Sequence, residues 1–249
     1  MDKRPEPRFS IVVPMRDEAG NVVALAREID AACSGLGHFE AIFVDDGSRD
    51  GTGARIAGIQ AAFPWLRKVS HGQPRGQSAA IRSGVLAGRA PIVCTLDGDG
   101  QNPPAEIPRL VAALSNGSLG LVAGERIARR DRLSKRIASR LANALRRAVL
   151  RDGARDSGCG MKAFRREVFL ALPCFDNMHR YLPALVRAQG LGVAFVPVDH
   201  RPRVAGRSKY GTLDRAMAGA GDLIRVWGLT RGRHPSALLR EPADAARSN

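Results

Sequence analysis

Residues 92–104 read Ile-Val-Cys-Thr-Leu-Asp-Gly-Asp-Gly-Gln-Asn-Pro-Pro. The apolar, β-branched run Ile92–Leu96 stops at two aspartates separated by one glycine, a length that suits a strand and not a helix. In extended backbone Asp97 and Asp99 point the same way, so both carboxylates can approach one cation. Mg2+ and Mn2+ favour one or two carboxylates completed by phosphate oxygens. Gly98 and Gly100 leave space for a diphosphate to approach the backbone. Asp-Gly is also a strong turn signal, and on this stretch alone a plain turn competes with a cation site.

Outward from this stretch, Phe9–Val13, Glu40–Val44, Arg67–Ser70 and Leu119–Ala123 read as further strands, each bounded by Gly, Pro or Asp. Between them Glu18–Ser34, Gly53–Phe63, Gln77–Ala87 and Pro104–Leu114 carry apolar residues near a 3.6 spacing, as in Val22, Leu25, Ile29 and Ala32. Asp17 is the expected N-cap of the first helix. The alternation predicts an α/β fold: a mostly parallel sheet with helices on both faces. Ligands of such sheets sit at the C-terminal strand ends. Those ends read Pro14-Met15-Arg16-Asp17-Glu18, Asp45-Asp46-Gly47-Ser48-Arg49-Asp50-Gly51-Thr52, His71-Gly72-Gln73-Pro74-Arg75-Gly76-Gln77 and Asp97-Gly98-Asp99-Gly100-Gln101. Taken alone, Asp45 and Asp46 suit helix caps and turns as well as contacts to a base or ribose. Four polar strand ends together predict one crevice.

The 249 residues carry 39 Lys and Arg against 24 Asp and Glu, a net charge of +15. That excess calls for an anionic partner: nucleic acid, an anionic lipid surface or a phosphorylated substrate. Aromatic residues make up 5%, which weakens a single-stranded nucleic-acid reading, since that needs stacking platforms. Cys33, Cys94, Cys159 and Cys174 have no metal-type spacing and suit a reducing compartment. No signal peptide is expected. The most apolar late segment, Ala216–Leu229, is interrupted by Asp222 and Arg225. A cytoplasmic protein that does not itself span a membrane is the expectation.

Ile11-Val12-Val13-Pro14 with Asp17-Glu18, the Asp45–Thr52 segment, Arg75-Gly76-Gln77-Ser78-Ala79-Ala80 and Leu96–Pro104 together resemble a family 2 glycosyltransferase of the GT-A (Rossmann-like) fold. The pattern is closest to the polyprenyl-phosphate (dolichol-phosphate) sugar transferase branch and runs from about Ser10 to Gly211. The resemblance implies that Pro14, Arg16, Glu18, Asp45, Asp46, Arg75, Gln77, Asp97 and Gly98 hold the nucleotide sugar. It implies that Asp97, Asp99 and Gln101 carry Mg2+ or Mn2+ and the catalytic diphosphate contacts. Asp17 stands where the family usually has Asn.

Residues 126–155 contain eleven Arg or Lys against Asp131 and Asp152, a net +9. Within them Ile137, Leu141, Leu145 and Val149 predict an amphipathic helix over Ser134–Leu150, either a solvated helix on the core or a basic helix on an anionic membrane surface. The resemblance gives Arg126, Lys135, Arg136 and Ser139, with Arg203 and Lys209 of the Arg203–Gly211 loop, to the acceptor phosphate. It gives Asp156 and Ser208 to the sugar and acceptor loop. Lys135 stands where the family commonly has Arg, and Arg136 competes with it for the role. His71, His179 and His200 are expected to be structural or peripheral.

The implied organisation is a catalytic domain over 1–211, an amphipathic helix over 212–230 and a polar tail over 231–249. That helix suits core packing and a monotopic anchor equally. The implied reaction is metal-dependent, inverting transfer from a nucleoside-diphosphate sugar (GDP-mannose or a UDP-sugar) to a polyprenyl phosphate such as undecaprenyl phosphate. It would occur at the cytoplasmic face of a membrane, with or without a separate membrane subunit. Two other readings stay open here: a family 2 transferase acting on a glycan hydroxyl, and a basic nucleic-acid-binding module, against which the two-aspartate strand end and scarce aromatics argue.

Overall fold

The computed structural model describes residues 5–115, 118–126, 144, 146–202 and 212–231. Its strands are β1 (Phe9–Met15), β2 (Phe39–Asp46), β3 (Leu66–His71), β4 (Ile92–Thr95), β5 (Leu119–Arg126), β6 (Lys162–Arg165) and β7 (Gly192–Val198). Its helices are α1 (Val22–Cys33), α2 (Thr52–Ile59), α3 (Gln77–Ala87), α4 (Ile107–Ser115), α5 (Arg166–Ala171), α6 (Leu182–Arg187) and α7 (Thr212–Arg231). One seven-stranded sheet runs β3-β2-β1-β4-β6-β5-β7, with β6 antiparallel to both neighbours and every other pair parallel.

Strand alternation splits the interior into two layers. Ile11, Val13, Ala41 and Phe43 face a core with α1, α2 and α4. Val12, Ile42 and Val44 face another with α3, α5, α6 and Val226 of α7. Each such fully buried aliphatic or aromatic side chain contributes about 1.5–3 kcal/mol by leaving water. The chain moves outward from β1 through β2 to β3, then returns past β1 to β4. If each connection keeps its usual right-handed turn, the return must cross on the opposite face, and α3 does lie opposite α1 and α2. The winding direction therefore reverses between β1 and β4, and the crevice beyond their C-terminal ends is where such sheets bind ligands.

Several element boundaries differ from the sequence expectations. The first helix starts at Val22, and Asn21, not Asp17, occupies its N-cap. Asp17 adopts left-handed backbone at φ 51°. Its N–H donates to Ser48 Oγ (2.9 Å) and its carboxylate accepts from the Arg49 N–H (2.8 Å), so the β2–α2 loop takes the residue away from helix capping. The second helix ends at Ile59 instead of Phe63. Pro104–Glu106 is a 3-10 turn leading into α4, and β6 and β7 extend the sheet beyond the five expected strands. The predicted basic helix is described only at 144 and 146–150, which are helical, and the 231–249 tail is described only at Arg231.

Candidate active site

β2 runs on to Asp46, so Asp45 and Asp46 are strand residues pointing to opposite faces. Both are buried, at 8% and 3% exposure. Asp45 turns toward the start of α2: Oδ1 accepts the Ser48 N–H (3.1 Å), and a Cβ on Gly53 would lie 2.3 Å from Oδ2. Asp46 turns toward α3: Oδ1 accepts the Arg75 N–H (2.8 Å) and Oδ2 the Gly76 N–H (2.9 Å), while His71 Nδ1 lies 2.7 Å from Oδ1. Burial pushes the Asp46 carboxyl up, and the bonds from His71, Arg75 and Gly76 outweigh it, leaving it below its ordinary value. Both aspartates thus orient the loops around the crevice through their own hydrogen bonds.

Beside them, Pro14 is half-buried near the end of β1 and Arg16 is exposed. The Glu18 N–H donates to Thr52 Oγ1 (2.9 Å), and its carboxylate accepts from Asn21 Nδ2 (2.6 Å). The first strand end is thereby tied to the second through Ser48, Arg49, Asp50 and Thr52.

After β4 the chain turns at Gly98 and Asp99 instead of continuing extended. Strand alternation is therefore not what aims the two carboxylates. Asp99 Oδ1 accepts the Gln101 N–H (3.1 Å), and Asp97 Oδ1 accepts from Gln77 Nε2 (2.8 Å), the first residue of α3. Gly98 is needed by the protein's own packing, since a Cβ there would lie 2.9 Å from both Pro14 O and Met15 Cγ. Gln101 reaches the exit of β7: its Nε2 donates to Arg201 O (3.2 Å) and its backbone carbonyl accepts the Arg201 N–H (2.9 Å).

The segment before β6 closes over Asp97. Thr95 Oγ1 donates to Gly160 O (2.7 Å), and a Cβ on Gly160 would sit 2.2–2.3 Å from all three atoms of the Asp97 carboxylate. Arg126 grips Asp156 with two parallel bonds, Nε to Oδ2 at 2.5 Å and Nη2 to Oδ1 at 2.7 Å. Lys162, 2% exposed, donates from Nζ to Cys159 O. Burial pulls its ammonium below the ordinary lysine value, against the opposing attraction of Cys159, Asp97 and Asp156. Asp97 itself is pushed up to about 6, by burial first and by Asp99 second, with Lys162 and Arg126 acting the other way. Two carboxylates that repel each other in a partly buried site create a demand for a cation.

Among the described residues, no three His, Cys, Asp or Glu side chains gather to hold a metal ion by themselves. The donor set is Asp97 and Asp99, all-oxygen and incomplete, which fits Mg2+ or Mn2+ finished by water and phosphate oxygens and does not fit zinc. The structure therefore brings together Pro14, Arg16, Glu18, Asp45, Asp46, Arg75, Gln77, Asp97, Gly98, Asp99 and Gln101 around the strand ends, with Arg126 and Asp156 beyond. Lys135, Arg136, Ser139, Arg203, Ser208 and Lys209 lie outside the described residues. Gly160 and Lys162 were given no role from sequence. The only signal available was their place in the segment Gly158-Cys159-Gly160-Met161-Lys162 after Asp156.

His179 and His71 both lie within hydrogen-bond networks, His179 Nδ1 2.7 Å from Ser78 Oγ and His71 between Asp46 and Ser83. His200 Nε2 lies 3.5 Å from Gln101 Nε2.

The family model described as "Glycosyl transferase family 2" matches residues 10–172. An undecaprenyl-phosphate 4-deoxy-4-formamido-L-arabinose transferase of Aeromonas hydrophila is 34% identical over 206 residues, covering 82% of this chain and 63% of that protein. The protein of the same name from Pseudomonas savastanoi is 35% identical over 215 residues, covering 84% and 63%. The chain thus spans just under two thirds of the length of these curated relatives. Among solved structures, glucosyl-3-phosphoglycerate synthase from Mycobacterium tuberculosis, in complex with Mn2+, UDP and glucosyl-3-phosphoglycerate, superposes with a TM-score of 0.67 at 24% identity, covering 92% of this chain and 82% of that one. A mannosyltransferase from Pyrobaculum calidifontis in complex with GDP-Man and Mn2+ gives 0.65 at 22% identity, covering 90% and 68%. These superpositions identify the fold as GT-A.

Proposed function

The chain belongs to glycosyl transferase family 2, and from that premise we propose that it moves a sugar from a nucleoside-diphosphate sugar to a polyprenyl phosphate. The observation that carries the donor half is the pair Asp97 and Asp99 at the β1–β4 reversal, a two-carboxylate donor set that a diphosphate would complete. The names of the similar undecaprenyl-phosphate transferases support the acceptor half, as does the net +9 of residues 126–155.

Bound Mg2+ or Mn2+ would neutralise charge on the departing diphosphate. The chain's own part is placement. Gln77 and Gly160 fix Asp97 from two sides, and the β2–α2 loop and Glu18 shape the nucleotide side. A lipid phosphate is already ionised near neutral pH, so no side chain must remove a proton from it, as transfer to a hydroxyl would require. Direct attack by that phosphate on the anomeric carbon, opposite the leaving diphosphate, inverts the configuration.

Contact with the membrane is proposed to be peripheral and cytoplasmic, through the basic segment and α7. Among the described residues no helix is long and apolar enough to cross a membrane. α7 buries Val226 in the core and turns Ile224 (71% exposed) and Trp227 (38%) outward, apolar groups suited to a lipid surface.

A screen of radiolabelled UDP- and GDP-sugars with undecaprenyl phosphate tests the reading. Label should enter the organic-soluble lipid with at least one donor. Label entering only water-soluble glycans, with none on the lipid phosphate, would overturn the acceptor assignment.

A further inference from the structure

Asp46, His71 and Ser83 form a hydrogen-bonded chain across three elements. Asp46 and His71 are register partners at the ends of β2 and β3, and Ser83 lies on α3. His71 Nδ1 is 2.7 Å from Asp46 Oδ1, and His71 Nε2 is 2.9 Å from Ser83 Oγ. The His71 and Asp46 side chains are 6% and 5% exposed. The Asp46 carboxylate accepts three bonds, so an Nδ1 proton faces it, and Nε2 shares a hydrogen bond with the Ser83 hydroxyl.

The order carboxylate, imidazole, hydroxyl is that of a nucleophile triad, but the setting is not. A nucleophilic serine stands on a sharp exposed turn beside oxyanion donors, whereas Ser83 sits well inside an eleven-residue helix. The hydroxyl ends a brace; it does not attack a substrate.

The brace holds the beginning of α3. The same carboxylate takes the Arg75 and Gly76 N–H groups. Gly76 has φ 89° and ψ 159°, backbone that essentially only glycine adopts. The next residue, Gln77, is exposed, yet its side chain reaches Asp97 at 2.8 Å. Where α3 begins decides whether that reach is possible.

We propose that Asp46, His71 and Ser83 are positioning residues: they fix the start of α3 so that Gln77 holds the Asp97 carboxylate in the orientation that receives metal and donor. The coupling to the donor rests on the crevice being a nucleotide-sugar site; the bracing of α3 does not. Asp46 then serves the nucleotide through the loop it organises, with three of its roughly four acceptor sites taken by His71, Arg75 and Gly76.

Two readouts are taken on wild type, His71→Ala, His71→Asn, Ser83→Ala and Gln77→Ala. One is amide hydrogen exchange at Arg75 and Gly76. The other is calorimetric binding of UDP and GDP in the presence of Mn2+. In His71→Ala exchange should accelerate, and nucleotide affinity should fall, each about tenfold, as expected for losing a hydrogen bond to a charged group. Asn at position 71 can still donate to Asp46 and should restore most of the protection. Ser83→Ala should show a smaller change of the same kind, and it carries the test if His71→Ala does not fold. Gln77→Ala should weaken nucleotide binding with exchange at 75 and 76 unchanged. Wild-type exchange in both His71→Ala and Ser83→Ala would overturn the brace, and accelerated exchange with undiminished nucleotide affinity would overturn its coupling to the site. If wild type itself binds neither nucleotide, the donor reading fails, and the exchange rates still decide whether the brace exists.

Discussion

Replacing Gly160 by Ala probes the wall of the site with one added methyl group. Gly160 has no left-handed backbone requirement, so alanine meets no conformational penalty there. Its Cβ would lie 2.2–2.3 Å from Oδ1, Oδ2 and Cγ of Asp97, where ordinary contact begins at 3.4 Å. Either the loop or the carboxylate must give by about 1 Å. The loop is held by Thr95 Oγ1 on Gly160 O and by Lys162 on Cys159 O, so Asp97 is the element that yields. It would swing off Gln77 and away from its setting beside Asp99. A misplacement of that size costs on the order of 100-fold in turnover, and overpacking costs about 1–3 kcal/mol in stability. For a chain of this length each kcal/mol lowers the melting temperature by about 2–4 °C, leaving a folded protein to assay. Transfer kinetics and Mn2+-dependent nucleotide binding should both be impaired. Gly58→Ala, on an open face of α2 with nothing within 4 Å, is the matched control and should be neutral or slightly stabilising. A folded Gly160→Ala protein with wild-type turnover and nucleotide affinity would refute the packing of this segment against Asp97.

The acid side of the pH profile follows from Asp97. Its folded value of about 6 lies above the ordinary 3.8, so this group favours the metal-free fold below about pH 4, and that contribution is lost as the pH rises through 6. Cation binding has the opposite sign, because it needs the ionised carboxylate: Mn2+-dependent nucleotide affinity should drop about tenfold by pH 5, read by calorimetry. A flat affinity from pH 7 to 5 would contradict the placement of Asp97. Arg126→Ala removes the two guanidinium bonds to the Asp156 carboxylate, whose side chain is 9% exposed, and should cost about 3 kcal/mol in a thermal melt. Arg126→Lys keeps the charge without the two-pronged geometry and should fall between; an unshifted melt in both variants would show that the pair does not stabilise the fold. Asp99→Ala should abolish metal-dependent transfer in a folded protein, and unchanged turnover would remove Asp99 from the site.

Much of the sheet was legible in the sequence because its strands are continuous apolar runs buried on both faces, as in Ile11-Val12-Val13 and Ala41-Ile42-Phe43-Val44. The strand ends were legible as one crevice because polar residues follow each run at once. β6 was not: Lys162-Ala-Phe-Arg165 is four residues with a charge at each end, and it is a strand only because β4 and β5 both lend it hydrogen-bond partners. Asp17 had the right residue type for a cap, but bonds to Ser48 and Arg49, more than thirty positions away, took it elsewhere. The two consecutive aspartates of β2 were visible as polar groups at a strand end. Their division, one toward α2 and one toward α3, needed the strand to continue two residues further than its apolar run. Lys162 carries no periodic signal, and its burial beside Asp97 comes entirely from the packing of the segment that follows Asp156.

The central claim is that two carboxylates and a donor diphosphate hold one divalent cation between them. Its most direct test is a titration of Mn2+ alone, of UDP and GDP alone, and of each pair together, on the full chain. Metal and at least one nucleotide should each tighten the other's binding by the same factor, at least tenfold, and Asp99→Ala should erase that coupling. Tight Mn2+ binding without nucleotide, or nucleotide binding that a chelator leaves untouched, would contradict it.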